Sequence, residues 1–245
     1  MKINSLLLQT GGDVPFPAAG VTIHTPRFVE IALIGEKEFL IGCHFLNFNK
    51  NTLEEKDKIG LEDKSDFEIF MMIMNSSERT LHKINAIMVL ALLFPQYEIK
   101  IQKDKILLQK DNFSSSINKQ NYNIFKDILC QLFCLGDSEK GDNEYNPADA
   151  LAARIAEKIK KGKEKRNKKN TEIDEDFSVY SKYISILSVG LRKDKNELSN
   201  YTIYQIRDEF QRYILKENYD NYIKAKLAGA QDLEEVENWM DDIHP

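Results

Sequence analysis

The sequence has no apolar run long enough to cross a membrane. The most apolar stretch, Ile84 to Phe94, has eleven residues, whereas a membrane-spanning helix needs about 20. We therefore expect a buried core helix that ends before Pro95, because proline cannot continue a helix. The N-terminus breaks at Gly11-Gly12 before an apolar region of sufficient length has formed, so no secretory signal peptide is expected.

Cysteine is also scarce, and its number is odd. Cys43, Cys130 and Cys134 cannot all pair within one chain, which fits a reducing cytoplasm. The four histidines show neither the HxxxH nor the HxC spacing that is typical of zinc ligands. Buried apolar thiols are therefore favoured over a metal site, and no metal is expected.

The sequence lacks the common catalytic signatures. It has no GxxxxGK[ST], GxGxxG, GxSxG or HExxH motif. Cys43 and His44 are neighbours in a predicted strand and so point to opposite faces, which prevents a nucleophile–base pair. With no acid/base pair, metal cage or activated nucleophile in view, we expect no enzymatic activity and no cofactor.

Positive charge is in deficit overall but is concentrated in one place. The net charge is −5, made of −4 over residues 1–156, +6 over 157–171 and −7 over 172–245. An acidic protein of ordinary globular composition is not a general nucleic-acid binder. The basic strip between two acidic blocks marks the expected domain boundary.

The basic strip invites three interpretations. Its charged residues are Lys158, Lys160, Lys161, Lys163, Lys165, Arg166, Lys168 and Lys169. They could contact phosphates, but no aromatic residue lies among them to stack on bases. A solvated arm or linker is favoured over nucleic-acid contact. The third interpretation is a homo-oligomer in which the acidic surface of another copy meets the strip.

The pattern of elements predicts an α+β fold that is mostly helical. We expect an N-terminal α+β domain over residues 1–156 with a small antiparallel sheet, a basic-then-acidic linker over 157–176, and a C-terminal helical domain over 177–245. The individual predictions are strands at 4–9 and 39–48, helices at 25–34, 65–74, 78–94, 118–135 and 177–191, and a hairpin at 97–110 around Lys103-Asp104. Gly35 is expected to close the first of these helices, and a capping box of Ser65 with Glu68 is expected to open the second.

The last 46 residues predict two amphipathic helices. The first has apolar residues at i, i+3, i+7, i+10 and i+11, namely Ile203, Ile206, Phe210, Tyr213 and Ile214. Gly229 is expected to end it in a left-handed conformation. Asp232 with Glu235 forms a capping-box pattern that opens the second helix.

The second helix carries a one-signed charged face and the only tryptophan of the chain. An apolar stripe framed by acidic residues suggests a docking surface, although a terminal helix that packs on its own domain would show the same spacing. The residues predicted to bind a partner, called the terminal stripe below, are Tyr222, Leu227, Leu233, Val236, Trp239, Met240 and Ile243.

Three segments resemble a protein family of tailed bacteriophages and prophages of low-GC bacteria. They are TIHTPRFVEIALIGEKEFLIGCHFLNFNK near the start, YNPADALAARIAEKIKKGKEKR in the middle and YTIYQIRDEFQRYILKENYDNYIKAKLAGAQDLEEVENWMDDIHP at the end. The resemblance covers most of the chain. The family has no catalytic signature against which it can be checked.

The resemblance implies a tail or baseplate assembly factor, similar to the tail assembly chaperones that hold the tape-measure protein. The expected partner is then a tape-measure or baseplate hub protein, held in the host cytoplasm by apolar helical surfaces. Two alternatives stay open at this point. One is a structural tail or baseplate component that remains in the virion, and the other is a nucleic-acid-binding accessory protein that uses the basic strip.

Overall fold

The N-terminal part of the molecule alternates short helices with two small antiparallel sheets, and the C-terminal part is helical. The computed structural model describes residues 1–52, 61, 63–77, 80–135, 178–231, 233 and 235–241. The helices are α1 (Ser5–Thr10), α2 (Phe28–Ile34), α3 (Glu36–Leu46), α4 (Asp66–Asn75), α5 (Leu81–Leu93), α6 (Tyr122–Phe133), α7 (Val179–Leu191), α8 (Lys195–Ser199) and α9 (Ile203–Leu227). The strands are β1 (Val14–Phe16), β2 (Val21–Ile23), β3 (Glu98–Ile101), β4 (Ile106–Lys110) and β5 (Phe113–Ile117). The predicted α+β, mostly helical class is confirmed.

The first sheet is the hairpin of β1 and β2. Val14 pairs with Ile23 and Phe16 with Val21, and all four side chains are buried. A short 3-10 turn, Pro17–Ala19, joins the strands and ends at Gly20, whose φ of 64° suits glycine. The sequence analysis missed this hairpin because the prolines that flank Phe16 are typical of a loop.

The second sheet has the order β3-β4-β5, with both pairs antiparallel. The predicted hairpin around Lys103-Asp104 is confirmed, since Ile101 pairs with Ile106 and Gln102 N–H donates to the Lys105 carbonyl at 2.9 Å. Strand β5 was not predicted because its central residues are serines, which carry little strand signal. It pairs along the whole of β4 nevertheless.

Two predicted strands are helices. Residues 4–9 form most of α1, whose N-cap Asn4 accepts from the Leu6 N–H through Oδ1 at 2.8 Å. Residues 39–48 lie largely in α3, where Phe39, Cys43 and Leu46 are buried at i, i+4 and i+7. That spacing is typical of a helix. The sequence did not show it clearly, because most of the residues between these positions are also apolar.

The helix boundaries follow the expected capping chemistry. The predicted capping box at the start of α4 is confirmed, because the Glu68 N–H bonds to Ser65 Oγ at 3.4 Å and the Ser65 N–H bonds to Glu68 Oε2 at 2.8 Å. Gly35, with a φ of 100°, closes α2 as predicted and separates it from α3. The predicted helices at 78–94, 118–135 and 177–191 correspond to α5, α6 and α7.

The core is rich in aromatic rings that α6 brings together. Phe125 packs against Phe16 and Phe94, while Phe133 meets Phe39 edge-on at a centroid distance of 5.1 Å. The buried Tyr122 hydroxyl donates to the Leu46 carbonyl at 2.9 Å, so this polar group is satisfied inside the core.

The C-terminal helices belong to the same core. Leu187, Leu198 and Ile206 are fully buried in one hydrophobic cluster with the N-terminal side chains. Residues 1–135 and 180–245 accordingly form one compact unit. The predicted linker at 157–176 lies outside the described residues, and whether residues 177–245 form a domain that folds alone stays a prediction.

Candidate functional site

The first half of α9 is anchored in the core. Its N-cap Thr202 forms a capping box with Gln205, whose N–H bonds to Thr202 Oγ1 at 3.3 Å. Gln205 Nε2 also donates to the Gln9 carbonyl in α1 at 2.7 Å, and Arg207 Nη1 donates to the Cys134 carbonyl at 2.7 Å. Ile203 and Ile206 are buried as the stripe predicted.

The second half of α9 leaves the core. From residue 211 to residue 227 no side chain is buried, and Ile214, Ile223 and Leu227 are exposed. Leu227 is 83% exposed. Local i, i+4 contacts support this half, such as the bond from Lys216 Nζ to Asp220 Oδ2 at 2.6 Å. The predicted stripe is therefore core at one end and surface at the other.

Tyr222 is engaged with its own helix. Lys226 Nζ donates to the Tyr222 hydroxyl at 2.9 Å and lies 5.0 Å from the ring centroid. This hydrogen bond raises the pKa of Lys226. Lys226 thus lies over the half-buried Tyr222 ring on the surface of α9.

Gly229 ends α9 as predicted. Its φ is 86°, and the Ala230 N–H closes the helix on the Ala225 carbonyl at 3.1 Å. This left-handed glycine after the last turn reverses the chain, so that the following residues return toward the helix they have left.

The predicted second terminal helix is wrong for the residues that the structure describes there, 233 and 235–241. These residues contain turns and extended chain but no helix. Asn238 makes a turn instead, because its Oδ1 accepts from the Met240 N–H at 3.1 Å and its carbonyl accepts from the Asp241 N–H at 3.0 Å. Six acidic residues without a basic one repel one another in a short helix, which is marginal in any case.

Arg212 fixes the returning chain. Its Nη1 donates to the carbonyls of Trp239 at 2.7 Å and Asp241 at 2.5 Å. Position 212 lies about 22 Å from the end of α9 at 1.5 Å per residue, so the tail runs back beside the exposed half of the helix. The sequence analysis missed Arg212 because a single basic residue on a helix gives no signal of a backbone partner.

The terminal stripe is split between exposed and half-buried side chains. Leu227, Leu233 and Met240 are exposed, whereas Tyr222, Val236 and Trp239 are half-buried. Glu235, Glu237 and Asp241 are exposed among them. The structure thus places Trp239 close to the middle of α9, while Ile243 lies outside the described residues. The predicted charged arm, Lys158 to Lys169, also lies outside them.

A histidine between two carboxylates was not foreseen. His24 Nδ1 lies 2.9 Å from Asp13 Oδ1, and its Nε2 lies 3.1 Å from Glu30 Oε1. Thr25 N–H donates to the same Asp13 oxygen at 3.1 Å. Because both ring nitrogens are engaged, the cluster ties the end of β2 to Asp13 and to Glu30 of α2.

The cysteines are free thiols. Cys43 is buried, and its burial raises the pKa of the thiol, so it is an inert side chain of the core. Cys130 and Cys134 are only half-buried, and Asn47 Nδ2 lies 3.2 Å from the Cys130 sulfur. Within the described part of the chain, no three His, Cys, Asp or Glu side chains are grouped so that they could hold a metal ion.

One comparison with known proteins gives a match. Residues 180–244 match the family model of the YomV second domain. YomV is a Bacillus prophage protein, so this part of the chain is similar to a phage-derived domain. Neither the curated proteins nor the solved structures provide a match to the chain.

The matched residues include all of α8 and α9 and all seven residues of the terminal stripe. The candidate surface therefore lies within the segment that is similar to a phage-derived domain. Among the described residues, no helix is both long and apolar enough to cross a membrane.

Proposed function

We propose that the protein is a non-enzymatic assembly factor of a phage tail or baseplate, which binds another tail protein through the terminal stripe. The observation that carries this proposal is the exposed second half of α9 with the tail returning beside it. A helix that served only its own core would bury its apolar side chains. Here Leu227 and Met240 are 83% and 65% exposed.

The charges of the surface indicate the chemistry of the partner. Glu235, Glu237 and Asp241 surround the exposed apolar side chains of the tail. A helix with an apolar stripe and flanking lysine or arginine residues would complement both features. A tape-measure or hub protein that presents such a helix is the partner we propose, following the resemblance to tail assembly factors.

Trp239 is the proposed anchor of the complex. Tryptophan buries a large area with few rotatable bonds and is enriched among residues that dominate binding energy. Its ring is half-buried and its carbonyl is bound by Arg212, so a partner would meet it in a fixed place. This arrangement lowers the entropy cost of binding at this residue.

The test is co-purification of partners with tagged variants from cells that produce the phage. We expect Leu227→Glu with Met240→Glu to lower capture of a phage tail protein about ten-fold or more, because buried charge in an apolar contact is costly. Both residues are exposed, so the fold should persist. Val189→Glu is the matched control, because Val189 is an exposed apolar residue on α7, away from the terminal stripe in sequence. This variant should leave capture unchanged.

Trp239→Ala gives a second measure of the same surface. We expect weaker capture with an unchanged melting temperature of the folded protein. Equal loss of capture in the Val189 control, or full capture by the double glutamate variant, would show that the terminal stripe is not the binding surface.

A further inference from the structure

The three-stranded sheet has one protected edge and one open edge. Along β5, the Ser116 carbonyl accepts from Asn121 Nδ2 at 2.9 Å, and Ser115 Oγ donates to the Ala19 carbonyl. Along β3, no described residue outside the sheet bonds to the main chain of residues 98–101. An open edge presents N–H and C=O groups to which a further strand can bond.

The hydrogen bonds of the β3-β4 hairpin show which main-chain groups are open. Gln102 N–H donates to the Lys105 carbonyl at 2.9 Å. Pairs with and without hydrogen bonds alternate along antiparallel strands. Ile99 and Ile101 are therefore the residues of β3 whose N–H and C=O groups point away from β4. These four groups form the open edge.

The two charged side chains of β3 lie on the same face of the sheet, because they are two positions apart. The side chain of Glu98 is 65% exposed and that of Lys100 is 47% exposed. Lys100 Nζ lies 3.1 Å from Glu98 Oε2 and 3.1 Å from Gln109 Oε1. An ammonium group has three donors, so Lys100 can bind a further carboxylate. The edge thus carries an acid on one side of Ile99 and a base on the other.

We propose that the open edge of β3 pairs antiparallel with the β3 edge of a second copy of this chain, with Ile99 on the two-fold axis. In this register Ile99 exchanges two main-chain hydrogen bonds with its equivalent. Glu98 of each copy lies opposite Lys100 of the other. The four side chains form a ring in which every charge has opposite charges beside it and across from it.

The charges select this register among those that the open main-chain groups allow. With Lys100 on the axis, Lys100 would face its own equivalent. With Ile101 on the axis, Glu98 would face Asp104 of the other copy. Like charges that lie directly opposite each other destabilise a strand pair. Only the register centred on Ile99 sets opposite charges against each other.

The same pattern favours a second copy over an unrelated strand. A two-fold interface uses one patch for both of its sides, so the patch must complement itself. A lysine on an edge strand ordinarily keeps other strands away, but here each lysine meets a glutamate. Because the affinity comes from a few main-chain bonds and two ion pairs across the axis, the association is weak and reversible. It does not rest on the terminal stripe.

Charge reversal tests the register by sedimentation over a concentration series. The wild-type mass should rise between about 10 μM and about 1 mM. Glu98→Lys alone and Lys100→Glu alone should each weaken association about ten-fold or more, because like charges then face each other. An equimolar mixture of the two variants should associate again, since one copy supplies two lysines and the other two glutamates. Lys182→Glu, at an exposed position of α7, changes the net charge as Lys100→Glu does and should behave like the wild type.

Engineered disulfides give a second test that does not depend on charge repulsion. A mixture of Glu98→Cys and Lys100→Cys should cross-link under mild oxidation, because opposite residues without hydrogen bonds have Cα atoms about 4.5 Å apart. Glu98→Cys alone is the control, since its two copies lie about 8 Å apart and exceed the reach of a disulfide. A wild-type mass that stays monomeric, a mixture of charge variants that does not associate, or a mixture of cysteine variants that cross-links no better than the control would overturn the proposal.

Discussion

Glu68 holds its negative charge at the start of α4. The Ser65 N–H and hydroxyl donate to Glu68 Oε2 at 2.8 and 2.7 Å, and Lys119 Nζ lies 3.1 Å from Oε1. These bonds, with those to Ser65 the strongest, lower the pKa of Glu68 from 4.5 to about 2. A carboxylate at a helix N-terminus also interacts favourably with the helix dipole.

The lowered pKa makes a prediction about acid stability. A carboxyl with a depressed folded-state pKa contributes stability above its unfolded pKa and loses it as pH falls through the folded pKa. Glu68→Gln should therefore lower the melting temperature at pH 7, and the difference from wild type should shrink between about pH 4.5 and about pH 2. Melting curves at several pH values measure this. A difference that does not change with pH would mean that the charge of Glu68 is unimportant.

Arg212 is the second residue whose role can be tested alone. Because its guanidinium holds the carbonyls of Trp239 and Asp241, Arg212→Gln should release the tail. We expect faster cleavage after Glu235 and Glu237 by a glutamate-specific protease. Lys216→Gln is the matched control, since it removes only the bond to Asp220 on the same helix. Equal cleavage rates in the wild type and Arg212→Gln would show that the tail is held by other contacts.

At the scale of elements, α3 and α5 pack closely at Gly42. A Cβ atom at position 42 would lie 2.6 Å from the Asn85 carbonyl oxygen and 2.7 Å from Val89 Cγ2. The nearest of these atoms belongs to the main chain of α5, so it cannot move away by a change of side-chain rotamer. Gly42 thus permits the packing of α3 that leaves the other face of α5 exposed.

This contact predicts that Gly42→Ala destabilises the protein by about 1–3 kcal/mol through overpacking, although alanine is the better helix former by about 1 kcal/mol. Gly190→Ala is the matched comparison. There the new Cβ would meet the Tyr213 ring, a half-buried side chain that can move, so the loss should be smaller. Urea denaturation gives both values. A Gly42→Ala variant as stable as wild type would contradict the close packing.

The sequence predicts elements well where one local signal acts alone. The capping box at Ser65 and the turn at Lys103-Asp104 are fixed by neighbouring residues, and both are confirmed. The serine-rich β5 was missed because only pairing with β4 makes it a strand. Residues 39–48 were misassigned because a continuous apolar run has no clear period.

The candidate site shows the same limit. Gly229 acts through its own φ angle and was predicted correctly. The shape of the tail depends on Arg212, 27 residues before Trp239, and a pattern of apolar spacing contains no information on such a bond. The spacing of residues 233–241 is therefore typical of a helix, although the hydrogen bonds from Arg212 hold these residues as turns and extended chain beside α9.

At the scale of the whole molecule, one core joins two parts of the chain that are far apart in sequence. The Phe28 N–H donates to the Tyr201 carbonyl at 3.1 Å, and Arg27 Nη1 donates to the Asn200 carbonyl at 2.8 Å. These bonds tie α2 to the entry of α9. The anchored half of α9 is thereby a rigid base for its exposed half, which is the arrangement that a precise docking surface needs.

The most direct test of the assembly-factor proposal is mass spectrometry of what co-purifies with the tagged protein from phage-producing cells, beside the protein content of finished particles. We predict a tape-measure or hub protein in the captured material and none of this chain in the particles. Finding this chain in particles at a fixed copy number would instead make it a structural component, and capture of no tail protein would overturn the proposed assembly role.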